Sequence, residues 1–320
     1  MKHNQNIDPD TNKRRSFLKS LLVFGSGIFI GPSLISCLPA KAKVTGLLDK
    51  RYKIAVCDWM ILKRQKLSAF ALAQEINADG IQLDMGGLGN RDTFDSKLGD
   101  PEVRKQFLAE SQNRGVEISS IAMSGFYAQS FAERDTVDRM VQDTLDTMAG
   151  MGIKIAYLPL GVEGDLVKRP EIRPAVVERL KKAGDKAYQQ GAVIAVETAL
   201  DAKDEVQLLK DIDSKGIQIS FNFANAIKNV KDIPTELRTL GKDRIAQIHA
   251  SDTDGVWIEN NIKINMPKIK QTLDEMGWQG WLIIERSRDV NDVRNVKGNF
   301  GANVAYLKSV FQSAGSLTKI

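Results

Sequence analysis

"KKAGDKAYQQGAVIAVETALDAKDEVQLLKDIDSKGIQISFNFAN", residues 181–225, contains the same unit twice. Helical spacing up to Gln190 gives way at Gly191 to the apolar, β-branched run Ala192–Thr198. Helical spacing returns over Asp204–Lys215, and Gly216 hands over to a second run, Ile217–Phe223. Glycine tolerates the left-handed conformation that closes a helix, so each glycine reads as a helix stop placed just before a strand. Outward from this stretch the rhythm continues. Strand-like runs fall at Tyr52–Met60, Gly80–Met85, Glu117–Met123, Ile153–Leu160, Ile245–Ala250 and Trp281–Glu285. Helical spacing lies between them at Pro101–Arg114, Thr136–Met151, Pro174–Gln190 and Met266–Met276, with further stops at Gly115 and Gly152. Eight strand-then-helix units in roughly 270 residues predict a (β/α)8 TIM barrel over residues 51–320, in one domain with a large core. The competing doubly wound sheet lacks its Gly-rich phosphate loop after the first strand.

A barrel of this kind places its chemistry at the C-terminal ends of the strands. The last four strands each end on a polar residue: "VIAVETAL" on Glu197, "IQISFNFAN" on Asn222, "IAQIHASD" on His249 and "WLIIERS" on Glu285. Strand alternation puts Glu197 on one face with Val193 and Ala195, His249 with Gln247, and Glu285 with Ile283, so each tip can point inward. His249 is the one histidine outside the leader described below. Two carboxylates, an imidazole and an amide oxygen at a barrel mouth form a candidate site for one divalent cation. The oxygen-rich donor set favours Mn2+ or Mg2+, with Zn2+, Co2+ or Fe2+ as alternatives. The competing role for either glutamate is an ion pair, and Arg286 and Arg288 stand beside Glu285. Further candidate substrate contacts are Asp58 and Trp59 at the end of strand one, Asp84 ending strand two, Asn225, Asp252 and Trp257, with Arg286 as an anion contact. Capping, packing or solvation competes at each. Phe126-Tyr127 reads as a lid or a core edge.

"VETAL", "SFNFANA", "QIHASD" and "GWLIIER" together resemble the sugar phosphate isomerase/epimerase superfamily, whose fold is the xylose isomerase-like barrel; the likeness covers about Arg51 to Gln312. The resemblance implies one divalent cation held by Glu197, Asn222, His249 and Glu285, with the two glutamates exchanging protons with the carbon next to a sugar carbonyl. The enediolate so formed would be stabilised by the metal, giving an isomerase or epimerase of a sugar or keto-sugar. Elimination from the same enolate would instead make it a lyase of 3-keto-glycosides. A non-catalytic sugar-binding relative is the third reading. Three positions depart from the family pattern. Asn222 stands where many members have aspartate, Asn225 where many have a substrate-contacting histidine, and Lys203 where an acid commonly follows Glu197. Loss of a formal charge at Asn222 predicts weaker metal affinity.

Residues 1–42 read as a twin-arginine signal peptide. Lys13-Arg14-Arg15-Ser16-Phe17-Leu18-Lys19 precedes an apolar, Gly-rich stretch from Ser20 to Ile35. Leu34-Ile35-Ser36-Cys37 resembles a lipobox with Cys37 as the lipidated residue, and Ala40-Lys41-Ala42 resembles an ordinary cleavage site; both exits stay open. The expected location is therefore the periplasm, as a free or membrane-anchored protein, with no other membrane contact. The first 36 residues hold five Lys or Arg against two Asp, so +3 of the chain's +5 belongs to the leader. The basic balance therefore says little about nucleic acid, and one usable histidine, too few for the multi-zinc site of an endonuclease IV-like enzyme, together with the export signal argues against a nucleic-acid partner. Cys57 is left without a disulfide partner. The expected partner is a small carbohydrate, and the sequence leaves the oligomeric state open.

Overall fold

A closed barrel requires the last strand to find the first, and β1 (Tyr52–Cys57) pairs in parallel with β8 (Gly280–Ile284) over five consecutive positions. The computed structural model describes residues 51–313. The expected signal peptide, Cys37 included, lies outside the described residues. From β1 the chain runs through α1 (Ser68–Glu75), β2 (Gly80–Asp84), α2 (Pro101–Arg114), β3 (Glu117–Ala122), α3 (Val137–Met151), β4 (Ile155–Pro159), α4 (Arg173–Gln189) and β5 (Val193–Glu197). It continues through α5 (Ala202–Ile212), β6 (Ile217–Asn222), α6 (Phe223–Lys228), α7 (Ile233–Leu240), β7 (Ile245–His249), α8 (Met266–Met276), β8 and α9 (Val296–Phe311). The eight strands close in sequential order. No helix among the described residues is long and apolar enough to cross a membrane.

Strand alternation sorts the side chains into two environments. Ile54, Val56, Ile194, Val196, Leu282 and Ile284 point outward and are buried in the main core against the helices. Ala55, Cys57 and Ile283 form a small cluster on the opposite face, inside the barrel. The interior also contains a polar layer. Gln82 donates to Ser120 Oγ at 2.8 Å and Gln247 donates to Ser220 Oγ at 3.1 Å, so these buried groups satisfy one another.

Gly115 and Gly152 cap α2 and α3 in the left-handed conformation, with φ of 62° and 70°, as their positions predict. Gly216 behaves differently. Helix α5 ends at Ile212 because Asp213 itself takes the left-handed cap, φ 49°, three residues before the expected stop. Gly216 is glycine for space: a Cβ there would lie 1.9 Å from the carbonyl oxygen of Gly184 in α4.

Candidate active site

The register of the last four strands brings their tips level. Asn222 sits opposite His249 and His249 opposite Ile283, the residue two before Glu285. His249 is fully buried, and its Nδ1 lies 3.2 Å from Glu197 Oε2 and 3.7 Å from Glu285 Oε2. The closer contact is off the axis of a well-directed N–H···O bond. Asn222 Nδ2 donates to Glu197 Oε2 at 3.0 Å and reaches Glu285 Oε2 at 3.5 Å. One imidazole and one amide thus span both carboxylates.

Two residues that the sequence reading did not single out fix this geometry. Gln82 on β2 donates its Nε2 to Ser120, which leaves its Oε1 to accept from His249 Nε2 at 3.2 Å and so assigns a proton to that nitrogen. Tyr157 on β4 donates its hydroxyl to Glu197 Oε2 at 3.1 Å and packs its ring 4.6 Å from the imidazole. Period-two alternation carries the signal for both, since Gln82 shares a face with Asp84 and Tyr157 with Pro159.

Burial alone would hold His249 neutral, but contact with Glu197 and the charges of Glu285 and Glu197 outweigh it, and its pKa lies above the usual value. With Nε2 protonated toward Gln82, the neutral ring would turn an Nδ1 lone pair toward two carboxylates; a second proton removes that repulsion. Glu285 is pushed up, first by burial and then by Glu197, against the pull of His249 and Arg286.

A cation held by all four tips needs four lone pairs aimed at one point. Asn222 Oδ1 instead accepts the backbone N–H of Ala224 at 2.8 Å, capping α6, so the amide shows its hydrogen-bearing side to the glutamates. Glu197 Oε2 already accepts from Tyr157 and Asn222. Among the described residues no group of three or more His, Cys, Asp or Glu side chains is arranged to hold a metal ion. The donor set does not fit the expected cation, because the amide oxygen counted on from the sequence belongs to the helix cap.

The glutamates form the floor of a cavity of about 460 Å3, lined also by Tyr127, Asn225, Asp252, Lys228, Lys263 and Arg286. A second cavity of about 190 Å3 contains Trp59, Arg64 and Tyr157 and shares Tyr127, Glu285 and Arg286 with the first, so Glu285 stands at the junction. Among the described residues Arg286 has no carboxylate in ion-pair distance. Phe126 is buried in the core while the adjacent Tyr127 is half exposed at the cleft. Asn225 donates to the carbonyl of Thr198 at 2.9 Å. Asp252 lines the larger cavity and accepts from Asn261 Nδ2 and Thr253 N, with no hydrogen bond to His249.

Three expected contacts line neither cavity. Asp58 is fully buried and ties the loop after β1 to the end of β2 by accepting from the backbone N–H groups of Gln65 and Asp84; burial pushes its carboxyl well up. Trp257 donates to Asn299 in α9 and lines neither cavity. Asp84, also fully buried, pairs with Arg64 Nε at 2.9 Å; burial still raises its pKa to about 6 against that charge.

Comparison with known proteins agrees with this architecture. A curated relative, 2-epi-5-epi-valiolone 7-phosphate 2-epimerase of Actinoplanes sp., is 25% identical over 213 residues, spanning 62% of this chain and 72% of its own. Among solved structures, D-psicose 3-epimerase of Clostridium cellulolyticum aligns with a TM-score of 0.64 at 12% identity, covering 81% of this chain and 99% of its own. The 3-keto-D-glucoside 4-epimerase of E. coli aligns at 0.61 and 16%, covering 81% and 99%. A sugar phosphate isomerase/epimerase of Parabacteroides distasonis aligns at 0.63 and 14%, covering 87% and 97%. At these identities the structural likenesses speak for the fold. The profile of one family matches residues 70–310, most of the barrel, and the chain belongs to that family, the xylose isomerase-like TIM barrels.

Proposed function

We propose that the protein is an isomerase or epimerase of a sugar or keto-sugar, moving a proton on the carbon next to a carbonyl. The observation that carries this reading is the pair of carboxylates, Glu197 and Glu285, brought onto one imidazole at the floor of an open cleft. Glu285 is the stronger base candidate. It stands at the junction of both cavities with a more exposed side chain, 21% against 10% for Glu197, and burial raises its proton affinity toward the working pH. Arg286 lines the same space with a guanidinium that no carboxylate among the described residues pairs, and is placed to receive the negative charge that develops on the carbonyl oxygen. For epimerisation Glu197, on the other side of the imidazole, delivers to the opposite face a proton drawn from the protonated His249 at 3.2 Å, while Glu285 keeps the one it removed. The epimerase name of the curated relative supports the reaction class.

A second reading, elimination from a 3-keto-glycoside, is favoured by the aromatic cavity beyond Glu285, which has room for a second ring beside Trp59 and Tyr157. Both readings begin with the same C–H cleavage, and one experiment addresses them. Free ketoses and 3-keto-glycosides are incubated with the protein in D2O and followed by NMR. Deuterium enters the carbon beside the carbonyl with wild type, and Glu285→Gln lowers the rate by about 100-fold or more. A bound sugar that takes up no deuterium makes the protein a binding module instead.

A further inference from the structure

Asn222 performs two tasks with the two ends of one amide. Its Oδ1 accepts the Ala224 N–H at 2.8 Å, and its Nδ2 faces Glu197 Oε2 at 3.0 Å and Glu285 Oε2 at 3.5 Å. Turning the amide over would set its NH2 against the Ala224 N–H, two donors face to face, and would put an uncharged oxygen among two carboxylates. Both changes are unfavourable, so the helix cap fixes which end meets the glutamates. The residue is 7% exposed, which leaves little access for solvent to relieve a wrong orientation.

We propose that this site works without a resident divalent cation, and that Asn222 is the positioning residue that replaces it, its amide N–H group joining the two carboxylates that an ion would otherwise hold. A cation bound at Glu197 Oε2 would approach the positive end of the amide and compete with the hydrogen bonds from Tyr157 and Asn222. Aspartate at this position could cap α6 with one oxygen and turn the other, as an acceptor, to the glutamates. Asparagine keeps the cap and reverses the polarity of the remaining group. The inference goes beyond the proton-transfer reading and is tested without a substrate.

The test titrates full-length wild type and Asn222→Asp with Mn2+ by calorimetry and thermal shift, with the metal content of each measured after purification. Aspartate caps helices as well as asparagine, so circular dichroism should show the variant folded. The expected result is no stoichiometric metal in wild type and no shift of its melting temperature by Mn2+. The variant should bind one equivalent, with affinity higher by about 10- to 100-fold or more. One equivalent of Mn2+ bound to wild type as tightly as to the variant overturns the proposal. Failure of both to bind also overturns it, because the amide would then not be what excludes the ion. Wild-type titration decides the first point even if the variant misfolds, and deuterium uptake reports separately on the proposed reaction.

Discussion

Just behind the candidate site, Glu205 accepts a hydrogen bond from Thr198 Oγ1 at 2.8 Å while only 4% exposed. Burial raises its pKa from 4.5 to about 8, with Thr198 opposing and the Glu197 and Glu236 charges adding. The folded protein therefore holds this proton where the unfolded chain has released it. Stability falls as pH rises from the unfolded value of 4.5 and stops falling near 8, an effect on the order of a few kcal/mol. Glu205→Gln keeps an oxygen for the Thr198 hydroxyl and cannot ionise. It is expected to raise the melting temperature at pH 8 by several degrees and to change it little at pH 5; equal effects at both would refute the buried proton. Sequence alone could not find this group, since an acid in the first turn of a helix usually faces water. The four strand tips were legible because period-two alternation is a local property. The direction of the Asn222 amide was not, since it depends on a backbone N–H that is free only at the first turn of α6.

At the scale of elements, the strand-helix rhythm was legible wherever apolar runs alternated with capped helices. Errors arose where a glycine had a different purpose. Gly184 lies within α4, where glycine costs about 1 kcal/mol relative to alanine, and helical spacing gives no reason for it. The reason is contact: a Cβ at Gly184 would lie 2.5 Å from Ile217 Cγ1, and one at Gly216 would meet the Gly184 and Tyr188 backbone. The pair lets α4 lie close against the start of β6, the strand that carries Asn222. Backbone cannot rotate away as a side chain can, so Gly216→Ala must push α4 outward. The expected cost is roughly 1–3 kcal/mol. Thermal unfolding would register that loss; an unchanged midpoint would mean that Gly216 serves only the turn.

Across the whole molecule, closure places a burden on the last helix. α9 leaves the β8 side of the barrel and returns to β1 and β2. Lys308 pairs with Asp79 at 2.6 Å, and Gln312 donates to the Tyr52 carbonyl at 2.8 Å and to Asp79 Oδ2. Asn303 holds Ile258 N and the Ser287 carbonyl on the loops after β7 and β8, next to Glu285. Such long-range pairing was legible only as a class, because a count of eight units implies a closed ring without saying which contacts hold the ends. Leu307, fully buried in the main core, tests whether the ring melts as one body. Leu307→Ala removes apolar contacts with no new partner and should cost about 2–5 kcal/mol, lowering the midpoint by about 5–15 °C in a domain of this size. Far-UV circular dichroism follows the helices, while tryptophan fluorescence follows Trp59, Trp257, Trp278 and Trp281, spread from the mouth to the base of the barrel. If the ring unfolds as one cooperative body, both signals should shift by the same amount and stay coincident, since each strand is hydrogen-bonded to two neighbours and loosening α9 weakens the whole circuit. A fluorescence transition that separates from the circular dichroism in the variant would show instead that part of the barrel holds its structure after the packing of α9 has failed.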